Sequence, residues 1–345
     1  MSLLAVDVGA GTQDIVLYDE EIPLEASTKM ILPSPTLLVA RRIDRARSRG
    51  KDIFLSGSTM GGGACTAALR WHLAAGLHVY ATPSAAATIN DNLERVIDMG
   101  IIIQEEPPRS AEIIETGDIN IPVLRRAFKL FDLALPREVA VAVQDHGYAP
   151  HKSNRLARFE HFAMAIKAGG CIEAFAYNRP PAVMTRMQAV SSYLEEQGLK
   201  SIVMDTGPAA IFGAATDPMY ADPGLIINFG NGHTVASIMF DGRITALFEH
   251  HTSQLTPAKL KHFADMLCEG KLNNSEVFND GGHGAFIEFV PEDLNSKLVT
   301  GPRRNIFLKS GVLENAVPAA PAGDMMITGC VGLLEAWSRK EDLWR

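Results

Sequence analysis

Short apolar runs closed by glycine or a polar cluster alternate along this chain with longer stretches whose apolar residues recur every three or four positions. The short runs predict buried strands, and the longer spacing predicts helices packed against them. Strands are expected at 52–56, 77–80, 101–103, 139–143, 201–204, 243–248 and 325–328. Helices are expected at 64–73, 84–96, 123–131, 153–167, 184–197, 257–267 and 333–337. Strands alternating with helices of about ten to fifteen residues make an α/β layer architecture. A further apolar run at 36–40 leads into the basic stretch 41–51, which reads as a solvated turn or short helix.

Two strand pairs are near copies of one another. Residues 4–18 read LAVDVGAGTQDIVLY and residues 225–238 read LIINFGNGHTVASI, so Asn228, Gly230 and Gly232 lie 221 residues after Asp7, Gly9 and Gly11. Each copy is an apolar strand, a polar residue, Gly-x-Gly and a second apolar strand. Glycine lets the chain turn sharply and lets backbone approach a ligand closely. Successive N–H groups in such a turn form an anion-binding nest. One copy alone also serves as a plain hairpin turn. Two copies facing each other make a phosphate clamp, which makes nucleotide binding the leading hypothesis. Asp7, at the end of its strand and beside the phosphates, is a candidate magnesium partner through water, because Mg²⁺ keeps several waters and takes one or two carboxylates. Thr12 offers a hydroxyl to a phosphate oxygen.

The chain has 345 residues, which makes two domains the default. Hydrophobic residues make up 47% and charged residues 21%, as in a folded soluble protein. A net charge of −8 argues against nucleic acid as a partner. No apolar stretch approaches the length of a membrane span, and the N-terminus enters a strand without a basic leader, so the expected location is cytoplasmic. Cys65, Cys171, Cys268 and Cys330 are scattered, with no C-x-x-C, and read as reduced thiols.

Two loops add candidate chemistry. Gly61, Gly62 and Gly63 lie between a strand and a helix, the shape of an anion site or of close helix–strand packing. Residues 144–155 follow an apolar strand, where open α/β sheets bind ligands. In that loop Asp145 and His146 are candidate acid–base groups, and Arg155 or Arg158 could hold an anion; a solvated connection is the plain reading. Asp205 opens a capped helix with Pro208 in its first turn. A metal-dependent alternative would draw on His146, His151, His250, His251 and His283. Their spacing favours satisfied or solvated histidines, with His250 and His251 pointing opposite ways on a strand.

The order of these motifs resembles the actin, sugar-kinase and heat-shock-chaperone ATPase superfamily. Its first phosphate motif is similar to residues 7–14, its connecting helix to 205–213, its second phosphate motif to 228–234, and its adenosine motif to 327–334. Within the superfamily the chain looks like a prokaryotic family sometimes given the label of a pyruvate formate-lyase activating enzyme. Radical chemistry with S-adenosylmethionine needs three closely spaced cysteines, which this sequence lacks.

The resemblance implies two ribonuclease H-like domains, 1–199 with an enlarged α/β region and 200–345, with the C-terminal helix packing back on the first. It implies ATP and Mg²⁺ in the cleft between them. ATP would be held by Gly9, Gly11, Thr12, Gly230, Asn231, Gly232 and His233, with the base near Gly329 and Gly332. Asp7 and Asp205 would be catalytic, and Asp14 a weaker candidate. A small-molecule acceptor would sit near Gly61, Gly62, Gly63, Asp145, His146 and Arg155. Asn228, His233 and Val235 depart from the superfamily's second phosphate motif, which favours nucleotide binding over a named reaction. A nucleotide-responsive regulatory protein with little turnover is the alternative to an ATPase or phosphotransferase, and no protein partner is indicated.

Overall fold

The computed structural model describes residues 2–339. Strands β1 (Ser2–Val8), β2 (Thr12–Asp19) and β3 (Thr28–Pro33) form an antiparallel meander. A small sheet of β4 (Ile53–Gly57), β5 (Val79–Ala81), β6 (Ile101–Ile103) and β7 (Glu112–Thr116) follows, all parallel in the order β6-β5-β4-β7. The chain then returns to the first sheet through β8 (Glu138–Val143), β9 (Ala176–Tyr177) and β10 (Lys200–Met204), giving the order β3-β2-β1-β8-β10-β9. β8 runs parallel to both β1 and β10.

The second half repeats the plan. β11 (Gly224–Phe229), β12 (His233–Phe240) and β13 (Arg243–His251) form a second meander, extended by β14 (Gly284–Ile287). On its other side β11 pairs in parallel with β15 (Ser296–Thr300), which pairs with β16 (Val317–Pro318). In both halves the first strand of a meander is central and its free edge takes a parallel strand. This duplicated topology is that of two ribonuclease H-like units, with the β4–β7 sheet inserted between β3 and β8. Because β10 pairs with β8, the expected division at residue 199 falls just before a strand of the first sheet.

Strand alternation decides what each sheet presents inward. On β1, Leu4, Val6 and Val8 face the helices of the outer layer, whereas Leu3 and Ala5 face the layer between the two sheets. Asp7 shares the parity of Leu3 and Ala5. On β11, Leu225, Ile227 and Phe229 face outward and Ile226 inward, which turns Asn228 inward as well.

Two helices fill the layer between the sheets, Thr206–Ala214 and Thr328–Ser338. They cross at backbone contact. A methyl on Gly213 would collide with the carbonyl oxygen of Thr328, and one on Gly332 with that of Ala209. Cys330 lies in the same crossing, its thiol 3.1 Å from the carbonyl oxygen of Asp14. The C-terminal helix thus packs on the first sheet.

Several local expectations are corrected. The strand at 325–328 and the turn at 329–332 are instead a short 3₁₀ turn, Met325–Ile327, running into the helix Thr328–Ser338. The carboxylate of Asp324 starts this segment by accepting from the N–H of Met326 at 2.9 Å, and Gly329 and Gly332, three apart, fall on one helix face. The apolar run at 36–40 and the basic stretch after it form one helix, Pro35–Ser48, with proline at its first turn and Arg45 and Arg47 in its last. The helix at 84–96 is two short ones, Pro83–Ala86 and Leu93–Asp98, the second restarted by the Asn92 side chain accepting from Glu94. Among the described residues no helix is long and apolar enough to cross a membrane.

Candidate functional site

The hairpin equivalence is kept down to single hydrogen bonds. The N–H of Gly9 donates to the carbonyl of Thr12 at 2.9 Å, and the N–H of Gly230 donates to that of His233 at 2.9 Å. The two turns meet tip to tip. A methyl on Gly11 would collide with the Asn231 amide, and one on Gly232 would lie 3.4 Å from the Ala10 methyl. The touching tips stand between two cavities, both of which they line.

The smaller cavity, about 70 Å³, holds the groups expected around phosphate and metal. Asp7, Thr12 and Asp14 line it from the first sheet, Asn228, Gly230 and Asn231 from the second, and Gly329 from the C-terminal helix. Asp7 and Asp14 are direct partners across β1 and β2. The hydroxyl of Thr206 donates to Oδ1 of Asp7 at 2.6 Å, and a methyl on Gly329 would collide with Oδ2. Burial pushes the Asp7 carboxyl up to about 7, against the Thr206 hydrogen bond and with the help of Asp205. Burial and the charge of Asp7 push Asp14 up to about 8. Oδ1 of Asp14 is buried with no hydrogen-bond partner.

The larger cavity, about 330 Å³, lies on the other side of the tips. It brings together Gly61, Gly62, Gly63, Asp145 and His146 from the first half and His233 and Glu249 from the second. Asp145 is structurally engaged there. Its Oδ1 accepts from Gly147 at 2.8 Å and its Oδ2 from Met187 at 2.9 Å. Arg186, which sequence reasoning missed, lines the same cavity and forks onto Asp118 at 2.7 and 2.8 Å while donating to the carbonyl of Gln144.

Arg155 is not brought to either cavity. Its guanidinium donates to the carbonyls of Phe278 and Gly282 and stacks on the Phe278 ring. Gly332 likewise sits in the helix crossing, not at the cleft. Asp205 caps its own helix through Gly207 and is held by Arg158 at 2.6 and 2.9 Å. Arg158 is fully buried; its five N–H donors go to Asp205, to Glu249 and to the carbonyl of Asp145. Both carboxylates of this triad offset the one guanidinium, so the molecule's centre carries an excess negative charge.

Three histidines from distant parts of the chain converge beside that triad. His146 follows β8, His233 opens β12, and His283 precedes β14. Nε2 of His146 lies 3.3 Å from Nε2 of His283, and the three side chains each offer a nitrogen within 4.8 Å of the others. Burial pushes His233 down to about 4 and His283 to about 3, and holds His146 well below its ordinary value, so all three rings are neutral at pH 7. His250 points away, as strand alternation requires, stacking on Phe263 and meeting Asp280 at 3.0 Å. His251 turns inward, its ring 4.8 Å from those of His233 and His283. His151 is exposed.

Residues 60–306 match the family model described as "Putative pyruvate format-lyase activating enzyme (DUF1786)". The chain belongs to this family. The matched segment spans the Gly61–Gly63 turn, the 144–155 loop, the second hairpin and all three converging histidines, and leaves the first hairpin outside. A search of curated proteins finds no match. Among solved structures, similar chains include ethanolamine utilization protein EutJ from Carboxydothermus hydrogenoformans, 11% identical over 96% of this chain and 89% of that one with a TM-score of 0.36. They also include the activator of 2-hydroxyisocaproyl-CoA dehydratase from Clostridium difficile with bound ADPNP, 10% identical over 99% of this chain and 98% of that one with a TM-score of 0.34.

The family's descriptive label implies cluster chemistry, and the donor set does not fit it. Cys65 is buried with the small parallel sheet and Cys330 in the helix crossing, while Cys171 and Cys268 lie elsewhere. Among the described residues no three cysteines come within ligand distance of one another.

Proposed function

We propose that this protein binds ATP with magnesium between its two halves, the phosphates at the facing hairpins and an attacking water or small-molecule acceptor in the larger cavity. The observation that carries this reading is that two equivalent Gly-x-Gly turns meet over a pair of shielded carboxylates, Asp7 and Asp14. Two carboxylates in such surroundings stay partly protonated unless a cation joins them. An acidic oxygen pair with the unpartnered Oδ1 of Asp14 suits a hard divalent ion. Asp7 would hold magnesium, with Asp14 beside it, and the ion would neutralise charge on the phosphates. The hydroxyl of Thr12 and the backbone N–H groups of the tips would orient the phosphate chain. The base would lie toward Met325 and Gly329, which line the smaller cavity.

That cavity, at about 70 Å³, is below the range of about 300–1,000 Å³ usual for ligand pockets. Nucleotide entry therefore requires the tips to part, Gly11 moving from Asn231, and closure on the ligand would exclude water. The halves so moved correspond roughly to residues 1–199 and 200–345. On the far side of the tips, Gly61, Gly62, Gly63 and His146 would receive the acceptor. In this reading the protein works in the cytoplasm, where ATP is plentiful.

A second reading, a nucleotide-responsive regulatory protein with little turnover, is favoured by one specific contact. Both oxygens of Asp205 are held by Arg158, which removes the obvious base, and Asn228 supplies no carboxylate in its place. Calorimetry with ATP, with and without Mg²⁺, and a phosphate-release assay separate the two. Magnesium-dependent binding that Asp7→Ala abolishes supports the proposal, and unchanged binding in that variant overturns it. Tight binding without phosphate release selects the regulatory reading.

A further inference from the structure

We infer that His146, His233 and His283 form a binding site for one divalent transition-metal ion of the zinc class, with an open coordination position facing the larger cavity. The inference does not depend on nucleotide binding.

The geometry supports it first. A tetrahedral zinc ion with Zn–N bonds of about 2.0–2.1 Å separates its nitrogen ligands by about 3.3 Å. Nε2 of His146 and Nε2 of His283 are 3.3 Å apart, and a nitrogen of His233 completes a triangle no wider than 4.8 Å. Small ring rotations close the remaining distance. Imidazole is the donor that zinc, cobalt and nickel share, and three histidines with a free fourth position make an open site rather than a closed structural one.

The hydrogen bonding supports it independently. Three buried imidazoles present six ring nitrogens, yet among the described residues the one hydrogen bond that joins them is that between His146 and His283. Nε2 of His233 and Nδ1 of His283 are buried without a hydrogen-bond partner. Buried polar atoms without partners are rare in folded proteins and call for a ligand, a water or an ion.

The surroundings supply the compensating charge. Glu249 places Oε2 3.9 Å from Nδ1 of His283, beyond hydrogen-bond distance but near enough for its charge to favour a cation held at that ring. Together with Asp205 it exceeds the charge of Arg158 by one, so a cation at the histidines would meet a negative field. His146 and His233 line the larger cavity, and the guanidinium that also lines it, Arg186, is taken up by Asp118.

The test uses the full-length, tag-free protein, stripped of metal and then dialysed against Zn²⁺ or Co²⁺. About one equivalent should be retained, and the cobalt form should show the visible absorption of a four-coordinate nitrogen site. His146→Gln and His283→Gln should each weaken zinc affinity by tenfold or more, while His262→Ala, at the exposed pair with Glu276, should not change it. Zinc should raise the melting temperature of the wild-type chain, and magnesium at the same concentration should not reproduce the rise through these residues. Retention of less than about a tenth of an equivalent by the wild-type chain overturns the proposal whatever the variants do. So does zinc affinity that survives both histidine changes, which would leave the pair as a hydrogen bond only.

Discussion

Nε of Arg158 lies 2.6 Å from Oε2 of Glu249, and this pair joins a helix of the first half to the central meander of the second. Both side chains are about 1% exposed, and the same guanidinium holds Asp205 at the start of the helix that runs between the sheets. The contact fixes the two halves at the floor of the cleft.

Removing one partner from such a pair leaves an uncompensated buried charge. Arg158→Met should therefore destabilise the protein by about 3–5 kcal/mol, since it strands two carboxylates at once. Asp205→Asn should cost less than Arg158→Met, because Glu249 still compensates the guanidinium. Chemical denaturation followed by circular dichroism measures both, and a midpoint for Arg158→Met equal to wild type would show that the triad is not what holds this region.

The same triad sets an acid limit. Arg158 and the nearby histidines hold the Glu249 carboxyl well below the usual carboxylate range despite its burial. A depressed carboxyl stabilises the fold above its unfolded pKa, about 4.3, and that stability is lost as pH falls through and below this value. His233 and His283, held neutral at about 4 and 3, act in the same direction. Their stabilisation is complete above the unfolded value of about 6.5 and declines below it. Melting temperature should therefore fall from pH 6.5 toward pH 4 most clearly in an Asp7→Asn/Asp14→Asn variant, because in the wild type these two raised carboxyls gain stability over the same window and offset part of the fall.

Asp7 and Asp14 act in the opposite sense. Their folded values, about 7 and about 8, lie above the unfolded value, so the folded state binds more protons and loses stability as pH rises toward 8. Between pH 7.5 and 8.5 the histidines are neutral in both states, so metal-free protein should melt lower at pH 8.5 than at pH 7.5. Asp14→Asn should flatten that slope, and a slope unchanged in the variant would assign it elsewhere.

The glycines of the C-terminal helix should separate packing from binding. Gly332→Ala forces a methyl against the backbone of Ala209 and should destabilise the chain by about 1–3 kcal/mol or more. Gly329→Ala pushes against the Asp7 side chain, and should weaken nucleotide binding more than it weakens the fold. Calorimetry beside thermal melting checks the pair; equal effects of both variants on both readouts would remove the distinction.

The cysteines test the label carried by the family. Burial pushes the thiols of Cys65 and Cys268 up to about 12 and about 11, and raises Cys330 well above the ordinary value. High-pKa thiols react slowly. A thiol reagent should label Cys171 fast in the native protein and the other three only on unfolding. Anaerobic incubation with iron and sulfide should yield no cluster absorption.

The duplicated hairpins were legible because strand period and glycine spacing are local, and the meander that each begins follows from the same pattern. The inward face of Asp7 and Asn228 also follows from alternation along β1 and β11. The short strand Glu112–Thr116 and the edge strand Thr28–Pro33 were missed, being part polar, as edge and half-buried strands often are. The helical nature of 325–332 was hidden by two glycines that read as a turn and serve instead to let two helices touch.

The amino-acid sequence alone determined the α/β class, the repeat of the Gly-x-Gly hairpin and the absence of a cysteine cluster motif, because each is a statement about neighbours along the chain. Only the tertiary structure decided that His146, His233 and His283 meet, that Arg155 serves a turn while Arg158 spans the halves, and that the hairpin tips divide the cleft in two. Those contacts join residues separated by 47 to 220 positions, from Arg158–Asp205 to Gly11–Asn231. Their geometry is set by how two twisted sheets pack on a shared pair of helices, which no local pattern encodes.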